Sequence, residues 1–190
     1  MTGDRIVALV ASAGGVEAVS RIVTRLPADF GASVIVLIHQ QPDRTSRLVE
    51  ILSRRATMPV VVAEHGAELL PRQVIVIPPG RHLLVAPDRR AVLIKSGAAP
   101  PNRPSADLLL ATLATAVGSR AIAVILSGGG HDGATGATAV HACGGTVIAT
   151  DEASSTYYSM PLAAVERDDT VDHIVGLDEV AGLLVALTGE

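Results

Sequence analysis

Three short loops in the sequence contain side chains of the types that acyl-transfer chemistry requires. Ser12 and His39 each follow an apolar run directly, and Asp132 follows the glycine-rich turn at residues 127–130. A serine hydroxyl becomes an effective nucleophile when a histidine accepts its proton and a carboxylate orients that histidine. The three residues therefore predict an ester hydrolase that acts through a covalent intermediate.

Each of these residues also has an ordinary structural explanation. Ser12 could cap the following helix or belong to a phosphate-binding turn, although the G-x-G-x-x-G, P-loop and G-x-S-x-G patterns are absent around it. His39 could be a buried core residue, and Asp132 could cap the helix that follows it. His131 could compete as the base, but its side chain is expected to point elsewhere. The hydrolase interpretation depends on the set occurring at equivalent strand ends.

The elements that must place these side chains alternate between strands and helices. Strands are predicted at residues 5–11, 33–39, 60–63, 121–126 and 146–150, and helices at residues 16–26, 46–55, 106–117, 133–143 and 178–187. This alternation predicts parallel pairing with right-handed crossovers. Ligands of such open sheets bind beyond the carboxyl ends of the strands, where the three residues are expected. Ser105 is placed to cap the helix at 106–117.

The middle of the chain departs from this alternation. Short apolar runs at 74–77, 83–86 and 91–94 have no helices between them, and a loop with three prolines follows at 97–104. The runs predict an antiparallel meander attached to the parallel sheet. The sequence as a whole predicts an α/β fold: a doubly wound, mostly parallel sheet with helices on both faces and a short antiparallel meander. A single domain over residues 1–190 is expected.

The composition limits the class of protein. The formal charge is −4 and only Phe30, Tyr157 and Tyr158 are aromatic, so neither a basic footprint nor a stacking platform for nucleic acid is predicted. Cys143 is the only cysteine, which favours a reducing compartment such as the cytoplasm, and it is expected to be a small buried residue. No signal peptide, membrane insertion or metal site is predicted.

Beyond the three loops, further short motifs occur along the chain in a fixed order. They are Ala11-Ser12-x-Gly14-Gly15, the strand-end His39, Pro79-Gly80 with His82, Arg103-Pro104-Ser105 with Asp107, Gly130-x-Asp132-Gly133-Ala134, Glu152-Ala153-Ser154 and Met160-Pro161. Together these motifs resemble the catalytic domain of the CheB-type protein-glutamate methylesterases of bacterial chemotaxis. The resemblance extends over nearly the whole chain, which makes it more specific than any single loop.

The resemblance implies hydrolysis of glutamyl methyl esters on chemoreceptor helices, and often deamidation of receptor glutamine as well. It implies that Ser12 is the nucleophile, His39 the general base and then acid, and Asp132 the orienting carboxylate. Backbone N–H groups near Ala13 and Gly129 would bind the oxyanion. No cofactor is implied. The implied partners are methyl-accepting chemoreceptors and a receiver or other chemosensory protein that regulates the enzyme.

The sequence also departs from the family pattern near the expected site. Ile38 stands where the family usually has glutamine, Val10 where it has glycine, Ala13 where it has threonine and Gly129 where it has methionine, and the loop after His39 is shorter. These changes favour an alternative in which the chain is a weak or inactive relative that binds signalling partners. A third interpretation is an esterase directed to another ester. Family members usually have an N-terminal receiver domain, and the catalytic domain alone is expected here.

Overall fold

The central element of the computed structural model is a seven-stranded sheet in which all pairings are parallel. The structure describes residues 5–41, 46–97, 102–167 and 169–189. The strands of the chain are β1 (Ile6–Ala11), β2 (Ser33–Ile38), β3 (Val60–Val62), β4 (Gln73–Val76), β5 (Arg81–Val85), β6 (Ala91–Lys95), β7 (Ala121–Ile125), β8 (Thr146–Thr150) and β9 (His173–Val175). The order in the sheet is β3-β4-β2-β1-β7-β8-β9, and β5 pairs with β6 separately. The predicted fold class is confirmed.

Helices cover both faces of the sheet. They are α1 (Gly15–Arg25), α2 (Leu48–Ser53), α3 (Ala106–Val117), α4 (Ala134–Ala142), α5 (Ser159–Val165) and α6 (Val180–Thr188). Residues of α1, α2 and α6 form one hydrophobic core with the sheet, and residues of α3, α4 and α5 form the other together with β5 and β6. Within the described residues, no helix is both long enough and apolar enough to cross a membrane.

The central strands are apolar without alternation because both of their faces are covered. Along β1, residues Ile6, Ala8 and Val10 belong to one core, whereas Val7 and Leu9 belong to the other. All six β1 residues are fully buried. This pattern is typical of parallel sheets with helices on both faces.

The middle segment differs from the predicted meander in one strand. The first of the three apolar runs forms β4, which lies between β3 and β2 and is parallel to both. Its Val74, Ile75 and Val76 are buried, and they contribute to the cores on both faces of the sheet. An interior position therefore stabilises β4 more than a hairpin would, because it pairs the strand on both edges and buries both of its faces. Within the described part of the chain, the antiparallel strand pair consists of β5 and β6.

Some predicted features are corrected by the structure or fall outside its described part. Cys143 is exposed, because it follows the last turn of α4 rather than packing into the core. The sequence did not predict α5 or β9, which are only seven and three residues long. The loop at 97–104 and the shortened loop after His39 include residues 98–101 and 42–45, which lie outside the described residues.

The strand order places the three predicted residues at one edge of the sheet. In the register of β1 and β2, Ala11 lies opposite Ile38, so Ser12 and His39 leave their strands side by side. On the other side of β1, Val10 lies opposite Ile125 of β7, which leads into the glycine-rich turn. The chain winds outward in both directions from β1 and β7, and such a reversal point is where open α/β sheets bind ligands.

Candidate active site

Ser12 lies in the tight turn between β1 and α1. Its N–H donates to the Ser127 carbonyl oxygen at 2.9 Å, and its own carbonyl accepts from the Gly15 N–H at 2.9 Å. Gly14 has a φ of 77°, a left-handed conformation that glycine adopts without strain. Gly14 is also the residue that caps α1, and no side chain donates or accepts a capping bond there. The helix-cap explanation of Ser12 is therefore wrong, and its partly exposed hydroxyl is available for other contacts.

His39 and Asp132 are in direct contact. The Nε2 atom of His39 lies 2.8 Å from Oδ2 of Asp132, and their side chains are 15% and 4% exposed. The backbone of His39 is fixed by a bond of 3.1 Å from its N–H to the Ala11 carbonyl oxygen. Because Nε2 faces the carboxylate, Nδ1 is the ring nitrogen left to accept a proton. His131, the competing candidate for the base, is exposed to solvent.

Asp132 accepts hydrogen bonds from the beginning of α3, a helix distant in sequence. The N–H of Ala106 donates to its Oδ2 at 2.8 Å, and the N–H of Asp107 donates to its Oδ1 at 3.1 Å. The hydroxyl of Ser105 donates to Oδ1 at 3.3 Å. The N-terminus of a helix has unpaired N–H groups and a partial positive charge, so it stabilises an anion placed there. Asp132 therefore caps α3, not the helix that follows it.

These contacts determine the ionisation of Asp132. Burial by itself raises the pKa of the carboxyl group. The hydrogen bond with His39, the N–H groups of Ala106 and Asp107, and electrostatic attraction to His39 act in the opposite direction and together lower the pKa below its ordinary value of 3.8. Asp132 is therefore an anion near neutral pH, which allows it to accept the Nε2 proton of His39 and fix the ring tautomer.

A reciprocal contact connects α3 with α4. The Oδ1 atom of Asp107 accepts from the N–H of Gly133 at 3.0 Å and from the N–H of Gly136 at 2.8 Å. An added Cβ at Gly136 would lie only 2.6 Å from Leu110 Cβ, so glycine allows the two helices to approach closely. The aspartate before α4 thus caps α3, and the aspartate in the first turn of α3 caps α4. The exchange fixes the backbone that follows Asp132.

Ser12 and His39 line the same open cleft between α1 and α2. The cleft has a volume of about 460 Å³, and its lining also includes Ala13, Val16, Ile38, Gln40, Gln41, Ser46, Arg47, Leu48 and Ile51. Apolar side chains form much of the wall, with Arg47 and the two glutamines as polar groups. Among the described residues, no hydrogen bond of the Ser12 hydroxyl is recorded. Catalytic hydrogen bonds are often absent or long before substrate binds.

Several backbone N–H groups near Ser12 donate to no described residue, and those of Ala13 and Gly129 are among them. Their loops are joined by the buried hydroxyl of Ser127, which donates to the Ala13 carbonyl oxygen at 2.8 Å and accepts from the Tyr157 N–H at 3.0 Å. The N–H of Gly128 donates to the Tyr157 carbonyl oxygen at 2.9 Å. The turn therefore keeps unpaired donors close to the serine, as an oxyanion site requires.

Two serines that support the site were not predicted as functional residues. Ser127 joins the nucleophile loop to the glycine turn, and Ser105 joins α3 to Asp132. Ser105 was predicted only as a helix cap, which is confirmed because its side chain accepts from the Leu108 N–H. The sequence signal that could have indicated a further role for Ser105 was its place in the Arg103-Pro104-Ser105 motif. A short serine at a strand end or helix start has too many ordinary functions for sequence to indicate this one.

Comparisons with known proteins agree with this geometry. The family model described as CheB methylesterase matches residues 7–184. "Protein-glutamate methylesterase/protein-glutamine glutaminase 4" of Myxococcus xanthus is 39% identical over 187 residues, covering 97% of this chain and 52% of that protein. "Protein-glutamate methylesterase/protein-glutamine glutaminase 1" of Saccharophagus degradans is 38% identical over 183 residues, covering 96% and 50%.

Among solved structures, the catalytic domain of a CheB methylesterase from Thermotoga maritima superposes with a TM-score of 0.91. It is 32% identical in sequence, and the match covers 97% of this chain and 99% of that one. The chain spans about half the length of the curated relatives it matches, with 52% and 50% of the two proteins covered. These relatives are named as enzymes, so the comparisons give no support to the alternative of a non-catalytic binding module.

Proposed function

Because the chain belongs to the CheB methylesterase family, we propose that it hydrolyses the methyl esters of glutamate side chains on methyl-accepting chemoreceptors. The relatives' names support this substrate class. The observation that supports it most directly is the 2.8 Å contact of His39 Nε2 with Asp132, beside a cleft that also exposes Ser12. A base oriented by a buried anion next to a serine is what acyl transfer to a hydroxyl requires.

In the first step, Ser12 Oγ attacks the ester carbonyl carbon and its proton moves to Nδ1 of His39. The carbonyl electron pair moves onto the oxygen, which the N–H groups of Ala13 and Gly129 then stabilise. Collapse of this intermediate breaks the bond between carbon and the methoxy oxygen. His39 returns the proton to the leaving group, so methanol departs and a glutamyl ester of Ser12 remains.

In the second step, a water molecule is the nucleophile, and it attacks the glutamyl ester of Ser12. His39 accepts a proton from the water as it attacks the acyl carbon, and the same donors stabilise the new oxyanion. The bond to Ser12 Oγ then breaks, and His39 returns the proton to the serine. The product is a free glutamate side chain, and Asp132 remains ionised throughout because it orients the imidazole and stabilises its charged form.

The proposal is tested by methanol release from receptor membranes carrying methylated glutamates. The wild-type chain should release methanol, and Ser12→Ala should reduce release to the control without enzyme, because no other hydroxyl replaces the nucleophile. Ser53→Ala is a matched control, since this serine is exposed at the end of α2. A folded wild-type chain that releases no methanol, while a known methylesterase does, would contradict the proposal.

A second reaction of the same site is deamidation of receptor glutamine, since the relatives are also named protein-glutamine glutaminases. The same steps apply, with ammonia leaving in place of methanol. Ammonia release from an unmodified receptor, lost in Ser12→Ala, is the corresponding test. Absence of ammonia release with methanol release intact would restrict the site to esters.

We also propose regulation by a receiver or another chemosensory protein, and a cytoplasmic location, where such a protein and the receptor's modified helices would meet it. The single cysteine and the family support these proposals. Methanol release measured with and without a phosphorylated receiver domain is the test of regulation. An unchanged rate at saturating receiver would contradict it.

A further inference from the structure

His82 is a buried histidine that the proposed reaction does not use directly. It lies in β5, and only 3% of its surface is exposed. It does not line the cleft that contains Ser12 and His39. Its Nδ1 atom accepts a hydrogen bond of 2.9 Å from the backbone N–H of Ser105. An imidazole nitrogen accepts only when it is unprotonated, so this ring is neutral with its proton on Nε2.

The partner of His82 is the residue from which α3 begins. The N–H of Ser105 precedes the helix and has no partner within it, and it lies in a residue that is 1% exposed. An unpaired buried N–H is costly, so the bond to His82 satisfies a group that the helix cannot. The same serine accepts from the Leu108 N–H through its hydroxyl oxygen at 3.3 Å. Hydrogen bonds therefore fix both the backbone and the side chain of Ser105.

From Ser105 the contacts continue to the catalytic pair. The Ser105 hydroxyl donates to Asp132, and the next two backbone N–H groups of α3 donate to the same carboxylate. Asp132 in turn contacts His39. A displacement of Ser105 moves three of the donors that fix Asp132, and it therefore changes the orientation of the His39 ring.

We propose that His82 is a positioning residue, which acts through Ser105 and Asp132 to orient His39. The inference rests on the proposed function, because the orientation of His39 matters for a reaction in which it transfers protons. Of the residues that line the cleft, this chain of hydrogen bonds reaches only His39, and the rest of the lining belongs to α1, β2, α2 and the loops beside them. Loss of the His82 acceptor should therefore lower kcat and leave KM unchanged.

The test compares two neutral amides at position 82. His82→Asn places its Oδ1 at the same number of bonds from the backbone as Nδ1, so it should accept from Ser105 and retain kcat near wild type. His82→Gln places its oxygen one bond further and should not accept there. We expect a fall in kcat of about tenfold to hundredfold for His82→Gln, the size that follows from a small misplacement of catalytic groups.

His65→Gln is the matched control. This histidine also accepts a hydrogen bond from a backbone N–H at Nδ1, from Leu93 at 3.2 Å, but the bond is exposed and His65 is not among the hydrogen-bond partners of Asp132. Its removal should leave kcat unchanged. Equal kcat values for the Asn and Gln variants at position 82, with both proteins folded, would overturn the proposal.

A second measurement does not depend on the ester substrate. The proton on His39 Nε2 is hydrogen-bonded to the Asp132 carboxylate and should give a downfield resonance in the proton NMR spectrum. That resonance should persist in His82→Asn and shift or broaden in His82→Gln. If the wild-type chain released no methanol, the proposed function would fail while this resonance still tested the positioning. An unchanged resonance in both variants would contradict the role of His82.

Discussion

The two halves of the candidate site are built in opposite ways. In the acid half, Asp132 is 4% exposed and accepts hydrogen bonds from His39, Ser105 and two backbone N–H groups of α3. In the nucleophile half, the Ser12 hydroxyl forms no hydrogen bond with any described residue, and neighbouring N–H groups, including those of Ala13 and Gly129, are likewise unpaired within the described residues. The hydrogen-bonding groups of the acid half are paired, whereas the nucleophile half contains unpaired backbone donors.

The difference follows from when each half bears charge. Asp132 is charged at all times, and a buried charge without partners is strongly destabilising, so its donors must be present in the free protein. The oxyanion exists only during the reaction, and donors already paired with the protein could not stabilise it. A saturated half and an unsaturated half are therefore both forms of preorganisation. Their difference predicts how each responds to substitution.

The largest effect is expected from Asp132→Asn, which changes the saturated half. An asparagine would place its NH2 group either at the Oδ2 position, facing His39 and the Ala106 N–H, or at the Oδ1 position, facing the Ser105 hydroxyl and the Asp107 N–H. The aspartate offers only acceptors at both positions. If the amide donates to His39 Nε2, the ring proton moves to Nδ1, the nitrogen needed to accept the Ser12 proton. We expect kcat to fall about 10⁴-fold, as loss of the correct tautomer does in serine hydrolases. Methanol release measures kcat, and a thermal melt checks that the variant is folded.

Asp178→Asn is a control for that substitution, since Asp178 is an exposed aspartate in ion pairs with Arg21 and Arg25. It should keep wild-type kcat. An Asp132→Asn protein that is folded and retains more than about a tenth of the wild-type kcat would show that the orientation of His39 does not depend on this carboxylate.

A smaller effect is expected from Gly128→Ala, in the nucleophile half. A Cβ at this position would lie 2.1 Å from Met160 Sδ and 2.9 Å from Ser12 Cβ. The methionine side chain can move, but the Ser12 Cβ is fixed by its backbone, so the serine must shift. We expect kcat to fall about tenfold to hundredfold. The double variant with Met160→Ala tests the assignment: it relieves only the first clash, so full recovery of kcat would contradict a displaced serine.

The sequence predicts the two halves unequally. The runs before Ser12 and His39 are apolar throughout, so their placement at strand ends could be deduced from local pattern alone. The expectation that parallel strands end at one edge then brings the residues together. Within the described residues, the contact of His39 with Asp132 confirms that part of the arrangement. The roles of Ser12, His39 and Asp132 in catalysis stay predictions.

The surroundings of Asp132 could not be deduced in the same way. Its bonds to α3 join residues 25 and 26 positions apart, and they depend on how two helices pack. Local pattern offered only the alternative that the aspartate caps its own helix, an ordinary arrangement for this residue type. The assignment of β4 was wrong for a related reason, because the strand's partners at 33–36 and 60–62 are also distant in sequence.

Acid stability distinguishes the two halves without any substrate. The pKa of Asp132 is lowered from 3.8 in the folded protein. Its contribution to the free energy of unfolding is therefore complete above the pKa of the unfolded chain, and it is lost as the pH falls through the lower folded value. Urea unfolding from pH 7 to pH 2 should show a smaller acid-induced loss of stability for Asp132→Asn than for wild type.

Asp178→Asn again provides the comparison. The pKa of Asp178 is also lowered, first by its hydrogen bond with Arg21, but this carboxylate is exposed to solvent. Solvent screens exposed pairs, so Asp178→Asn should alter the acid dependence less than Asp132→Asn does. An equal or larger change for Asp178→Asn would mean that burial at the α3 N-terminus does not determine acid stability.

The smallest effect is expected from Gly129→Ala, beside the unpaired N–H group. An added Cβ at this position meets no atom of the described residues within 4 Å, in contrast to the adjacent Gly128. Its φ lies outside the left-handed region, so alanine fits without strain and restricts the unfolded chain, which should raise the free energy of unfolding by about 0.4–1 kcal/mol. Since the N–H donor remains, kcat should stay within about threefold of wild type. A large fall in kcat would show that the nucleophile half requires the backbone flexibility of Gly129 as well as its unpaired N–H group. Preorganisation would then be a property of the acid half alone.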